Sequence, residues 1–131
     1  MDPPVRIKQV GFQPQGGLSR FYHAADMLVL PSLRSETWGL VVNEALHHGV
    51  PAVVSDAVGC APDLVEPGVT GEIFAAGCVP ELSAALLRSL RLAGSENVRY
   101  RCRAKVENYS TVRAAEGIAA AYRAVVSDHE F

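Results

Sequence analysis

The sequence predicts an α/β domain with a parallel sheet flanked by helices. Three observations lead there. Short, unbroken apolar runs at Met27–Leu30 and Pro51–Ser55 read as strands buried on both faces. Segments with helical spacing alternate with these runs along the chain. Pro31, Gly49 and Pro67-Gly68 mark the boundaries between them. With 131 residues, 49% hydrophobic and 20% charged, the chain is long enough for one domain with a real core. It is too apolar to be read as disordered.

The elements are expected in this order. Val5–Val10 is a short strand ending at Gly11, and Gln13–Gly17 is a turn-rich loop. Leu18–Ala25 is a short helix, with Leu18, Phe21 and Tyr22 on one face. Met27–Leu30 is a buried strand bounded by Asp26 and Pro31. Leu40–His48 is a helix with Leu40, Val41, Ala45 and Leu46 clustered on one side, stopped by Gly49. Pro51–Ser55 is the next strand. A loop punctuated by Gly and Pro follows over Asp56–Pro62, and Asp63–Glu66 forms one helical turn. Gly71–Ala75 is a short strand. Helices follow over about 80–92, 96–107 and 111–126, the first burying a stripe of Leu82, Ala85, Leu86 and Leu90. The core spans 5–126, and the polar tail 127–131 frays.

Bulk properties exclude several classes. A net charge of −2 and a pI near 6.1 give no basic excess for nucleic acid or an anionic membrane. No apolar run approaches the roughly 18–20 residues of a membrane-spanning helix. The N-terminal residues lack the apolar core of a signal peptide, so a cytoplasmic setting is expected. Cys60, Cys78 and Cys102 are odd in number and widely spaced. They are expected as reduced thiols without zinc-ligand spacing.

The functional signal lies between Pro31 and Leu46. The apolar strand runs into a polar loop holding Glu36, and Gly39 then opens a helix carrying Glu44 on its second turn. In open α/β sheets, ligands sit at the carboxyl ends of the strands. A helix N-terminus there offers unpaired N–H groups and a positive dipole end to a phosphate. One carboxylate before that end and one just inside it place acceptors for hydroxyl groups on both sides of a diphosphate. A nucleotide-sugar has that layout. Gly39 to Glu44 is a rise of roughly 7–8 Å, about the reach from a phosphate at the helix end to the ribose beyond.

These residues resemble the carboxyl half of a GT-B glycosyltransferase of glycosyltransferase family 4. The likeness runs from about Val5 to Tyr122. It rests on Glu-x7-Glu at Glu36 and Glu44 within Pro31-Ser32…Glu36-Thr37-Trp38-Gly39-Leu40…Glu44-Ala45. Two further segments follow in order, His48–Asp56 and then Gly59–Val65, with Pro67-Gly68 and Gly71 after them. The resemblance implies a Rossmann-like, partial GT-B C-terminal domain that takes a UDP- or GDP-sugar donor. It implies transfer with retention of configuration and no metal requirement or other cofactor.

Under that resemblance Glu36, the candidate residue nearest the reaction, meets hydroxyls of the donor sugar and is not a covalent nucleophile. Trp38 and Gly39 present backbone near the sugar and diphosphate, with the Trp38 side chain packing. Leu40 and Val41 offer N–H groups to phosphate, and Glu44 accepts both ribose hydroxyls. Gly11-Phe12 is a candidate base contact. Gly59–Asp63 either bounds the donor pocket or starts a helix. His23, His47, His48 and His129 do not align with the family's histidine near the transfer site; His47-His48 suits a helix C-terminus.

The resemblance also implies parts that are not matched here. Two further strands would carry an Arg and a Lys that grip the diphosphate, and a separate amino-terminal domain would bind the acceptor. Without those two strands, Val5–Val10 has no neighbour and Met27–Leu30 has an open edge. The chain is therefore expected to be a fragment, a truncated product or one piece of a split enzyme, inactive alone. The alternatives are a nucleotide or nucleotide-sugar binding module without catalysis, a non-functional remnant, or a sheet in which Val5–Val10 shifts to pair directly with Met27–Leu30. Its partner is expected to be an acceptor domain on another chain or a second copy at the open edge.

Overall fold

The computed structural model describes residues 4–127. Three parallel strands, β1 (Leu28–Leu30), β2 (Ala52–Ser55) and β3 (Gly71–Phe74), form one sheet in the order β1-β2-β3. Leu28 pairs with Ala52, which in turn pairs with Gly71. Before them runs α1 (Gln15–Ala24), and between and after them run α2 (Leu40–His47), α3 (Ala61–Leu64), α4 (Val79–Ser89), α5 (Glu96–Val106) and α6 (Thr111–Ser127), with a 3₁₀ turn at Glu107–Tyr109.

At β2 the sheet is buried on both faces, as an unbroken apolar run requires. By contrast β1, expected as a buried strand over Met27–Leu30, is only half-buried at Leu28 and Leu30 and 38% exposed at Val29, because it lies at the edge of the sheet. All four residues of β2 are buried. Ala52 and Val54 turn toward α2, α3 and α5, in a core with Val42, Leu46, Leu64 and Cys102. Val53 turns the other way, onto Phe74 of β3 and Ala85 of α4, with Leu82 and Leu86 packed alongside. The buried Glu72 of β3 accepts from Gly68 N–H at 3.1 Å and from Arg88 Nε–H at 3.0 Å, tying the sheet to α4. Cys60, Cys78 and Cys102 are free thiols. Among the described residues, no helix is long and apolar enough to cross a membrane.

Further expectations need correction. Helix α1 begins inside the loop expected over Gln13–Gly17, and the helical turn expected at Asp63–Glu66 lies instead at Ala61–Leu64. Val5–Val10 forms no strand. It belongs to an exposed segment with Val5 86% and Ile7 83% accessible. Alternating apolar residues make a strand only where a ladder partner takes their N–H and C=O groups, and no described strand flanks them. The buried face of α2 is Val42, Ala45 and Leu46, with Leu40 exposed. The buried stripe of α4 ends on Ser89, and Leu90 lies outside it, 60% exposed. The face Leu18, Phe21 and Tyr22 of α1 is only half-buried, and α1 contains no buried residue. Asp128–Phe131, within the expected frayed tail, lie outside the described residues.

Ser89 carries a testable cost. Its hydroxyl is buried without a hydrogen-bond partner among the described residues. A buried, unsatisfied hydroxyl loses its water and gains nothing in return. Ser89→Ala is therefore expected to raise stability by about 1 kcal/mol, read as a higher urea midpoint with an unchanged slope.

Candidate functional site

The carboxyl ends of the three strands are cross-tied. Ser55, the last residue of β2, donates its hydroxyl to the Ser32 carbonyl at 2.6 Å. Asp56 accepts from Ala76 N–H at 2.9 Å, joining the loops after β2 and β3. The loop after β1 zips to the loop after β2 through three bonds of 2.9 Å: Glu36 N–H to Ala57 O, Gly59 N–H to Glu36 O, and Cys60 N–H to Trp38 O. A Cβ on Gly59 would lie 2.7 Å from the Thr37 carbonyl carbon, so this approach requires glycine. Gly59 and Cys60 thus brace the motif loop, and α3 starts directly after them.

Gly39 sets the start of α2. Its φ of 94° lies in the left-handed region, and a Cβ there would sit 2.9 Å from Val58 Cγ1. Both conformation and space demand glycine. No side chain caps this helix end. The first backbone bond into the helix is Val42 N–H to Gly39 O at 2.9 Å. The N–H groups of Leu40 and Val41 precede it and are orphan donors of the first turn. They stand where β1 delivers the chain, at the carboxyl edge of the sheet.

Glu36 lies in the braced loop, half-buried, with Oε2 accepting from the Ser32 hydroxyl at 2.8 Å. Trp38 is a packing group, as expected. Its indole N–H donates to Asn43 Oδ1 at 2.6 Å and its ring stacks on Tyr109 at 5.8 Å. Its carbonyl is taken by Cys60, leaving less free backbone than the resemblance implies. Burial pushes the Cys60 thiol up to about 11. Its own backbone hydrogen bond opposes the shift and the Glu36 and Asp63 charges add to it. The thiol stays protonated near neutral pH and is no nucleophile.

Glu44 lies on the second turn of α2, on the same face as Leu40 and His48. Both of its carboxylate oxygens are engaged by α1. Gln15 Nε2 donates to Oε1 at 2.9 Å, and the Tyr22 hydroxyl donates to Oε2 at 2.6 Å. Burial, then the hydrogen bond to Glu44 and its charge, push the Tyr22 phenol far above its ordinary range, so it remains a donor. His48 Nδ1 lies 2.7 Å from the Glu44 carbonyl, which can only accept, so Nδ1 carries the proton. Nε2 then accepts from the Ser19 hydroxyl at 2.9 Å in the neutral ring. Tyr22 stacks on His48 at 5.1 Å, and the rings of His23 and His47 meet His48 edge-on.

Surface grooves flank α2. One of about 380 Å³ is lined by Trp38, Leu40, Asn43, Tyr109 and Arg113. One of about 250 Å³ is lined by Glu44, His47, His48 and Val106 among others. A wider groove, about 540 Å³, runs along α5 and the turn before β3 and includes none of the motif residues. Among the described residues, no group of three or more His, Cys, Asp or Glu is placed to hold a metal ion. Phe12 is 94% exposed in the segment before α1, so no pocket for a base forms around it.

The structure thus places Trp38, Gly39, Leu40, Val41 and Glu44 along one helix start, with Glu36 in the loop leading into it. The sequence reading missed Gln15, Ser19, Tyr22 and Asn43. The available signal was the polar stripe Gln15, Ser19 and Tyr22 at i, i+4 and i+7, which lies on one helical face.

Comparisons with known proteins bear on this arrangement. The family model of glycosyl transferases group 1 matches residues 3–108. The D-inositol 3-phosphate glycosyltransferase of Mycobacterium marinum is 34% identical over 119 residues, covering 88% of this chain and 25% of that protein. The amylovoran biosynthesis glycosyltransferase AmsK of Erwinia amylovora is 37% identical over 107 residues, covering 77% of this chain and 26% of that protein. The solved sucrose-phosphate synthase of Thermosynechococcus elongatus superposes with a TM-score of 0.65 at 29% identity, covering 85% of this chain and 28% of that one. The chain therefore spans about a quarter of the length of the curated relatives it matches. The parallel sheet with flanking helices is part of a Rossmann-like domain of a GT-B fold. On the span of the family match and the identity to these relatives, the chain belongs to the glycosyl transferases group 1 family.

Proposed function

We propose that this chain is the donor-binding part of a retaining, family 4 glycosyltransferase that takes a UDP- or GDP-sugar. The observation that carries the reading is the uncapped start of α2 at the sheet's carboxyl edge, with Glu44 on the next turn. In this reading the Leu40 and Val41 N–H groups receive the diphosphate, helped by the helix dipole and without a metal ion. Glu44 receives the ribose hydroxyls through charge-assisted bonds. Glu36 receives hydroxyls of the donor sugar, and the backbone at Trp38 and Gly39 lets the ligand approach closely. Charge stabilisation of the leaving diphosphate is the catalytic contribution of this half.

Transfer also needs an acceptor-binding surface, which in this reading a partner domain supplies. The chain by itself then binds donor without transferring sugar. The test is a calorimetric titration of the folded chain with UDP and with GDP, with and without EDTA. One nucleotide is expected to bind, with EDTA making no difference. No binding of either nucleotide to folded protein would overturn the reading, and loss of binding in EDTA would overturn its metal-free form.

A further inference from the structure

We propose that Tyr22, assisted by Gln15, is a positioning residue that aims the Glu44 carboxylate at the ribose diol of the donor. This rests on the reading of Glu44 as the ribose acceptor. The stripe Gln15, Ser19 and Tyr22 of α1 meets Glu44 of α2 and His48 at the C-cap of the same helix, two residues that are themselves one helical turn apart. Each contact fixes the next. His48 is held from both ring nitrogens, by the Glu44 carbonyl at 2.7 Å and the Ser19 hydroxyl at 2.9 Å. The Tyr22 ring lies against that fixed imidazole, 25° from parallel. Its hydroxyl is thereby carried to Oε2 at 2.6 Å, while Gln15 reaches Oε1 at 2.9 Å.

One donor on each oxygen fixes the plane of the carboxylate as well as its position. A carboxylate has about four acceptor sites, so one on each oxygen remains for the two hydroxyls of a diol. A free glutamate on a helix surface would lose rotamer freedom when a ligand ordered it. Here α1 has ordered it in advance, and such preorganisation appears as ligand affinity. The phenol is the stronger of the two holds, because an O–H···O⁻ bond is short and charge-assisted.

The same contacts also attach α1 to α2, so the test must separate aim from attachment. The full chain is titrated with UDP and GDP, and with the 2′,3′-dideoxy form of whichever binds. The wild type, Tyr22→Phe, Gln15→Ala and Glu44→Gln are compared. Tyr22→Phe keeps the stacked ring and loses only the hydroxyl. It is expected to weaken ribonucleotide binding about five-fold and leave dideoxynucleotide binding unchanged. Gln15→Ala is expected to give a smaller shift of the same kind.

Equal weakening toward both nucleotides would overturn the proposal in favour of simple helix attachment. Unchanged or tighter ribonucleotide binding would also overturn it, tighter binding showing that Tyr22 occupies the diol's place. If Glu44→Gln leaves the preference for the ribonucleotide intact, the ribose reading of Glu44 falls, and the positioning role falls with it. If Glu44→Gln removes that preference and Tyr22→Phe does not reduce it, only the positioning role falls. A folded wild type that binds neither nucleotide overturns both.

Discussion

Glu44→Ala is expected to weaken nucleoside diphosphate binding about a hundred-fold, roughly 2.7 kcal/mol. In the proposed site one carboxylate serves two ribose hydroxyls. Hydrogen bonds to a charged group contribute about 1.5–3 kcal/mol each, and water competes for both partners in the free state. The hundred-fold figure therefore lies below the simple sum of two such bonds. Glu44→Gln keeps one oxygen acceptor and is expected to fall between alanine and the wild type. Neither variant should unfold the domain. Glu44 is half-buried at the edge of α2, and the donors it leaves behind are an exposed Gln15 and a half-buried Tyr22 that water can reach. Melting temperature should fall by a few degrees at most, while calorimetry shows the large change. An alanine variant that binds like the wild type would mean that the helix start alone holds the nucleotide.

What the sequence disclosed about this molecule follows from how local each feature is. The strand Ala52–Ser55 is readable because burial on both faces leaves an unbroken apolar run. The start of α2 is readable because Gly39 and the glutamates on either side of it are set by spacing along one segment. Val5–Val10 has the apolar composition of a strand, but a strand also needs a neighbour, and no local pattern reports one. Leu40 and Leu90 were placed on buried faces by hydropathy. Burial is set instead by the direction in which each helix packs, which puts Val42, Ala45 and Leu46 inward on α2 and Ser89 inward on α4. The grip of α1 on Glu44 joins residues 22 and 29 positions apart. It depends on how two helices dock, and the polar stripe on α1 would have hinted at it only to a reader seeking a second face on that helix.

Gly71→Ala is expected to cost more than about 3 kcal/mol and to leave little folded protein. Gly71 opens β3 directly opposite Ala52 of β2. A Cβ there would overlap the Ala52 carbonyl oxygen and stand 2.7 Å from its carbonyl carbon. These are backbone atoms, so no rotamer change relieves the clash, and β2 cannot retreat because it is buried on both faces and paired with β1 on its far side. The strands must part or slip. A slip of one residue would turn Phe74 away from Ala85 and carry Glu72 away from Arg88. A domain of this size has only about 5–15 kcal/mol of stability to lose. Gly117→Ala is the control. It lies inside α6 with open space around it, and the same substitution there is expected to raise stability by about 0.5–1 kcal/mol or leave it unchanged. The pair is read as soluble yield and urea midpoint. A Gly71→Ala protein that stays soluble and unfolds near the parent's midpoint would show that β3 does not pair with β2 in this register. The loops at the carboxyl edge, whose positions depend on that register, would then need to be rebuilt along with the proposed donor site.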